Sequence, residues 1–195
     1  KYVIKKDYRF NNSLLNNLDY KNKRIILLTS HRRENIGEPM ENIFTAIKDI
    51  VDKYDDIEVV FPVHLNPKVR EIANGILGNN PKIHLIDPLD YEPFTNLMSR
   101  VYLVVTDSGG LQEEAPTLGK PVLVVRKETE RPEGIEAGTA KLVGTKYNDI
   151  YENLDLLLKD EKEYEKMAKA VNPYGDGNAA KKIVDIIINS NKENY

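Results

Sequence analysis

The sequence contains no cysteine, which excludes disulfides, cysteine-ligated zinc, iron–sulfur clusters and a thiol nucleophile. It has no apolar run long enough to span a bilayer, so no membrane partner is expected and a cytoplasmic location is. It lacks a cluster of Lys and Arg interleaved with aromatics, and its formal net charge is −3. Nucleic acid therefore has no electrostatic footprint here, and any anion must be held by a local site. The glycine patterns of common nucleotide folds are missing too. No G-x-G-x-x-G follows the first apolar run, where Ser30-His31-Arg32-Arg33 stands instead, and no Gly-Lys-Ser/Thr of Walker type occurs. That argues against a nicotinamide cofactor and a P-loop. No cofactor and no metal are expected. The first residue is Lys1, without Met or a signal-like segment, and a processed form or an expressed fragment is the expectation.

What is present is regular. With 195 residues, 41% hydrophobic and 30% charged, the chain is long enough for one α/β domain with a full core. Residues 1–23 set Leu14, Leu15 and Leu18 among Asn and Lys; the spacing allows a short helix, but the segment reads more as a linker or N-terminal extension, or a piece docking elsewhere. From residue 24 to residue 177 short β-branched runs alternate with amphipathic segments. Strands are predicted at Ile25–Thr29, Ile57–Phe61, Lys82–Ile86, Val101–Thr106, Pro121–Val125 and Ala140–Val143, each a run of the kind buried on both faces of a parallel sheet. Between them Met40, Ile43, Phe44, Ile47, Ile50, Val51 and Tyr54 recur at helical spacing after Pro39. Asn66-Pro67 starts a second helix that ends near Gly78, a third runs from Asp90 to Arg100, and a fourth ends at Gly119. A long polar loop is expected at Arg126–Gly138, then helices near Asp149–Lys159 and Glu161–Val171. A last amphipathic helix in residues 178–195 gathers Ala180, Ile183, Val184, Ile187 and Ile188 on one face. The alternation predicts a Rossmann-like, doubly wound parallel α/β sheet, in which ligands bind beyond the carboxyl ends of the strands.

The loops at those ends are polar. After the fourth strand, Asp107-Ser108-Gly109-Gly110-Leu111-Gln112-Glu113-Glu114 reads as a tight turn and a helix start. Ser108 can be a simple cap, or the two glycines can let backbone N–H groups and the helix dipole hold a phosphate. Glu114, about 9 Å up that helix at 1.5 Å per residue, either accepts hydrogen bonds from a ribose or complements the dipole. His31 follows the first strand beside two arginines, whose charge favours a neutral imidazole near neutral pH; alternatively it is a loop histidine satisfied by the backbone. Arg32, Arg33, Arg126 and Arg131 can clamp a diphosphate, or pair with Glu34, Glu128, Glu130 and Glu133 as surface charge. His64 can be a ligand-facing group or a helper of the Asn66 cap, and His84, inside a strand, reads as structural.

Taken together, Ser30-His31-Arg32-Arg33-Glu34-Asn35, Pro62-Val63-His64-Leu65-Asn66-Pro67, Asp107–Glu114, Thr129-Glu130-Arg131-Pro132-Glu133 and Asn172-Pro173-Tyr174-Gly175-Asp176-Gly177 resemble the C-terminal half of the non-hydrolysing UDP-N-acetylglucosamine 2-epimerases. The resemblance runs from about Arg24 to Asn189. It implies one half of a GT-B architecture, with UDP and UDP-N-acetylglucosamine as ligands and a homodimeric full-length enzyme. Carried over, Ser108, Gly109, Gly110 and Arg131 would hold phosphate, Glu114 the ribose and Phe94 the uracil region. His31 matches an active-site histidine, and Arg32 and His64 match residues of an effector site. Small departures exist, with Ser30 where Thr is commoner and Lys127-Glu128 replacing smaller polar residues. The implied reaction is anti-elimination of UDP to 2-acetamidoglucal and re-addition, giving UDP-N-acetylmannosamine. The family's N-terminal half supplies the acid and base carboxylates, so the chain is expected to bind UDP without epimerising alone, and its last helix to pack on that other half. Two alternatives stand beside this reading. A GT-B glycosyltransferase would share the fold, although the Glu that retaining members place eight residues before the ribose carboxylate is Thr106 here. The other is a non-catalytic UDP-sugar binding module.

Overall fold

Arg24–Thr29 forms the first strand, β1, because its four central residues can be buried on both sides: Ile26 and Leu28 enter one apolar cluster and Ile25 and Leu27 the other. The same division recurs along β2 (Ile57–Pro62), where Val59 and Phe61 oppose Val60, and along β4 (Leu103–Thr106), where Leu103 and Val105 oppose Val104. This is the period-two geometry of a strand read as a continuous hydrophobic run, the mark of a parallel sheet covered on both faces. With β3 (Ile83–Ile86), β5 (Val122–Val124) and β6 (Ala140–Leu142), the computed structural model, which describes residues 3–175 and 177–192, contains six parallel strands in the order β3-β2-β1-β4-β5-β6. That order reverses direction between β1 and β4. The crevice beyond their carboxyl ends is the topological switch point, where sheets of this kind bind ligands.

The helices follow the expected alternation, numbered after α1 (Ser13–Asn17): α2 (Glu38–Lys53), α3 (Pro67–Leu77), α4 (Tyr91–Arg100), α5 (Gly109–Glu114), α6 (Pro132–Glu136), α7 (Tyr147–Lys159), α8 (Glu161–Ala168) and α9 (Ala179–Lys192). Met40, Ile43, Phe44, Ile47, Ile50 and Val51 of α2 are all buried, as their spacing predicts. Asn66 caps α3 by accepting from Lys68 N–H at 3.0 Å. Three readings need correction. The segment read as a linker is part of the core on one face of the sheet: Asn12 caps α1, Leu15 is fully buried and Phe10 nearly so. Its apolar residues were too few to show a period, but they have the sheet to dock on. The stretch read as a polar loop, Arg126–Gly138, contains α6, whose five residues are too short for periodicity and whose start is Pro132 at the first turn with Glu133 beside it. The helix at the Ser-Gly-Gly turn is also shorter than one continuous element. It is six residues of α5, then a 3-10 turn over Ala115–Leu118, stopped by Gly119 at φ 66°.

On α9, Ile183, Val184, Ile187 and Ile188 are at least half exposed. No described helix is long and apolar enough to cross a membrane.

Candidate functional site

The crevice between the carboxyl ends of β1, β2 and β4 holds a cavity of about 250 Å³, lined among others by His31, His64, Phe94, Ser108 and Leu111. Four of the residues singled out in the sequence thus face one space. They come from four different loops or helix starts. The loop after β1 brings His31, the loop after β2 brings His64, the first turn of α4 brings Phe94, and the turn after β4 brings Ser108.

The loop after β1 and the turn after β4 are tied by one buried carboxylate. Asp107, 0% exposed, accepts through Oδ2 from Ser30 Oγ at 3.1 Å, His31 N–H at 2.9 Å, Arg32 N–H at 2.9 Å and Asn35 Nδ2 at 3.1 Å. Asn35 also donates to the Val125 carbonyl at 3.1 Å, extending the tie to the end of β5. The other oxygen, Oδ1, is buried and has no aligned donor among the described residues, but His31 Nδ1 stands 3.1 Å from it. The His31 side chain is 41% exposed, so the imidazole bridges the buried carboxylate and the open cavity.

That pairing reverses one expectation. The neighbouring arginines were expected to favour a neutral imidazole; instead the Asp107 carboxylate, outweighing burial and the Arg32 charge, raises the His31 pKa above its ordinary value. Burial would raise the Asp107 pKa, but its pairing with His31 and the backbone N–H groups of Arg32 and His31 hold it below the usual carboxylate range. Asp107 was quoted as part of the turn but not singled out. The available signal was its place one residue after a fully buried strand, where a carboxylate must find donors.

His64 lies with its ring stacked on His31, centroids 5.5 Å apart and planes 18° off parallel. Its Nδ1 accepts from Asn66 N–H at 3.1 Å, so it both helps shape the α3 cap and faces the cavity. His84 pairs with Glu58 at 2.7 Å across β2 and β3, away from this end, as a structural residue would.

Ser108 makes no side-chain cap bond, contrary to the simple capping reading. Its backbone N–H is taken by Thr106 Oγ1 at 2.9 Å, and its carbonyl accepts from the buried Gln112 at 3.3 Å. Gln112 also accepts from Thr129 Oγ1 at 2.6 Å, which fixes the loop after β5 against α5. Gly109, Gly110, Glu114 and Arg131 lie outside the cavity lining. A Cβ built on Gly109 would lie 3.5 Å from Glu130 Oε1 and 3.9 Å from the Arg131 guanidinium, so this glycine is where the two loops meet.

Three of the four arginines singled out in the sequence, Arg32, Arg126 and Arg131, are paired with carboxylates. Arg32 donates to Glu130 at 2.9 Å and to the Asp107 carbonyl at 3.3 Å; Arg126 donates to Glu34 at 3.1 Å and also to Glu130; Arg131 donates to Glu113. Glu34 and Glu130 were foreseen as partners, Glu113 was not. Its own backbone hydrogen bond and the Arg126 and Arg32 contacts bring the Glu130 pKa down to about 2. Glu114 behaves oppositely: burial, then the neighbouring Glu113 charge, raises its pKa. Tyr174 accepts from Gly134 N–H at 3.0 Å and so braces α6 behind Arg131; Asp176 of the same motif lies outside the described residues.

Residues 2–188 match the family described as UDP-N-acetylglucosamine 2-epimerase. The chain is 56% identical over 165 residues to the UDP-N-acetylglucosamine 2-epimerase of Bacillus subtilis, covering 85% of this chain and 43% of that protein. A co-structure of S. aureus MnaA with UDP superposes with a TM-score of 0.88 at 50% identity, covering 95% of this chain and 50% of that one. A Neisseria meningitidis UDP-GlcNAc 2-epimerase bound to UDP-GlcNAc gives a TM-score of 0.82 at 49% identity over 86% of this chain and 45% of that one. The chain spans about half the length of the curated relatives it matches.

Proposed function

The chain belongs to the UDP-N-acetylglucosamine 2-epimerase family, and from that premise we propose that its 195 residues supply the UDP-binding half of such an enzyme. The observation that carries this reading is the meeting of His31, His64, Phe94 and Ser108 around one cavity at the switch point, with Gly109 next in the chain to Ser108 and the Arg131 guanidinium near Gly109. In this reading Phe94 receives the uracil, Glu114 the ribose hydroxyls, and Ser108, Gly109, Gly110 and Arg131 the diphosphate, with His31 beside the reacting sugar. Arg32 and His64 adjoin the same crevice as the candidate effector contacts.

The chemistry suits such a division. The proton on carbon 2 of the sugar is not acidic enough to leave alone. It departs to a base while the bond from carbon 1 to the UDP oxygen breaks, leaving a carbon 1–carbon 2 double bond in 2-acetamidoglucal and free UDP. Returning a proton to the other face of carbon 2 and re-forming the bond from the UDP oxygen to carbon 1 gives UDP-N-acetylmannosamine. Much of the barrier is the charge growing on the leaving diphosphate, which fixed N–H and guanidinium donors stabilise. The base and acid come from outside these 195 residues, and the apolar face of α9 packs there in a homodimeric, cytoplasmic enzyme.

Calorimetric titration with UDP, UDP-N-acetylglucosamine and UDP-glucose tests the reading. Binding of UDP and of UDP-N-acetylglucosamine, without solvent-proton exchange at carbon 2 by the chain alone, is expected. A preference for UDP-glucose would favour a glycosyltransferase, and no binding of any of the three would refute a nucleotide site.

A further inference from the structure

Asp107 offers two oxygens with different surroundings. Oδ2 takes four donors from the loop after β1, and through them it anchors that loop to the turn after β4. Oδ1 takes no part in the anchoring. It is buried without an aligned donor among the described residues, and the group facing it is His31 Nδ1 at 3.1 Å. If loop anchoring were all that position 107 did, an Asn would serve, since its carbonyl oxygen could take the same four donors. Among the described residues, the second carboxylate oxygen faces the imidazole, and the negative charge is what an Asn could not offer it.

We propose that Asp107 is a positioning residue for His31, fixing the imidazole with Nδ1–H turned into the protein and Nε2 presented to the cavity. A carboxylate only accepts, so the nitrogen facing it carries the proton, and the other nitrogen is left for the ligand. The remaining groups around His31 fit that orientation. His64, from the loop after β2, stacks on the ring face. Arg32, next along the chain, is held by the Asp107 carbonyl and Glu130, and its charge is outweighed at the imidazole by Asp107. With the imidazole protonated, Nε2–H is a charge-assisted donor aimed into the crevice, and on the UDP reading above, on which this last step rests, its partner is the departing phosphate.

The test is nitrogen-15 NMR of the His31 ring in the native chain across pH, with and without UDP. The neutral form is expected as the Nδ1–H tautomer, with a midpoint above that of an ordinary histidine and a further upward move when UDP is bound. In Asp107→Asn the carbonyl keeps the four loop donors and the amide NH₂ faces Nδ1. The neutral ring should then switch to the Nε2–H tautomer and its midpoint should fall. A purely structural role would move neither readout. A native ring found as Nε2–H, or an Asp107→Asn ring unchanged in tautomer and midpoint, overturns the proposal. Should Asp107→Asn not fold, the native tautomer and midpoint decide by themselves. If UDP fails to bind while the native ring is Nδ1–H with a raised midpoint, the positioning role is supported and the UDP reading is the one that falls.

Discussion

Arg32 reaches from the loop after β1 to Glu130 in the loop after β5, donating Nη2–H to Oε1 at 2.9 Å, while the other Glu130 oxygen accepts from Arg126. The carboxylate thus lies among the guanidiniums, 3.5 Å from where a Gly109 side chain would begin. An anion entering there meets a negative charge already in place. Because the Glu130 pKa is held at about 2, that charge persists across all ordinary pH. Glu130→Gln should therefore tighten UDP binding by about two- to fivefold, the scale of one solvent-screened charge interaction, and the gain should shrink as salt is added. Weaker binding at low salt would instead make Glu130 an indirect support of the site.

Glu114 carries the opposite design. Its raised pKa, from burial and then from Glu113, means that the fold favours its protonated form. The sign follows directly: a carboxyl whose folded pKa is raised adds stability at low pH and loses that contribution as pH rises through the folded value. At neutral pH the charged group is a liability to the fold. Glu114→Gln should raise the thermal midpoint at pH 7 and not at pH 3. Glu114→Ala should weaken UDP by about 1–3 kcal/mol, with a smaller loss for 2′-deoxy-UDP, because only one of the two ribose hydroxyls is left to bind. Equal losses for both nucleotides would separate Glu114 from the ribose.

The strands were legible because Ile25–Leu28 or Val104–Val105 cannot be satisfied anywhere but between two apolar layers. Their alternation with amphipathic helices left one arrangement of loops. The rim position of His31, His64, Phe94 and Ser108 followed from that topology. What was hidden were partnerships made across the chain. The tie of Asp107 to His31 joins residues 76 positions apart, and no local pattern separates it from the arginine neighbours that misled the reading of the imidazole. Arg131 likewise found Glu113, 18 positions away, instead of the glutamates beside it. The docking of Phe10 and Leu15 was hidden for a related reason, since two apolar residues in a polar segment show no period until a surface is offered to them.

Gly134 and Tyr174 offer a mechanical test of the loop that carries Arg131. The Gly134 N–H donates to the Tyr174 hydroxyl at 3.0 Å, and a Cβ at Gly134 would stand 2.8 Å from that oxygen. Gly134→Ala must push the phenol away and break the bond, at a cost of about 1 kcal/mol plus any local strain. Tyr174→Phe removes the same bond without the crowding. In urea unfolding the double variant should lose less than the sum of the two singles, since both act through one contact. Additive losses would mean that the alanine displaces something other than Tyr174.

Far from the crevice, Asp155 on α7 predicts how the fold meets acid. It accepts from Lys53, from the Tyr54 hydroxyl at 2.7 Å and from Lys159 at 3.1 Å, and its side chain is 11% exposed. These partners, Lys53 first, outweigh burial and bring its pKa to about 2 from an ordinary 3.8. A lowered carboxyl pKa gives stability that is fully present above the ordinary value and lost as pH falls through the folded one. The window is therefore between about pH 4 and pH 2. Asp155→Asn should cost about 1–2 kcal/mol at pH 7, less than full linkage would give because both lysines approach through solvent. At pH 2 the variant and the native chain should converge in urea midpoint. A difference that persists there would assign the stabilisation to the Tyr54 hydrogen bond and the packing of α7 on α2, not to the ion pairs.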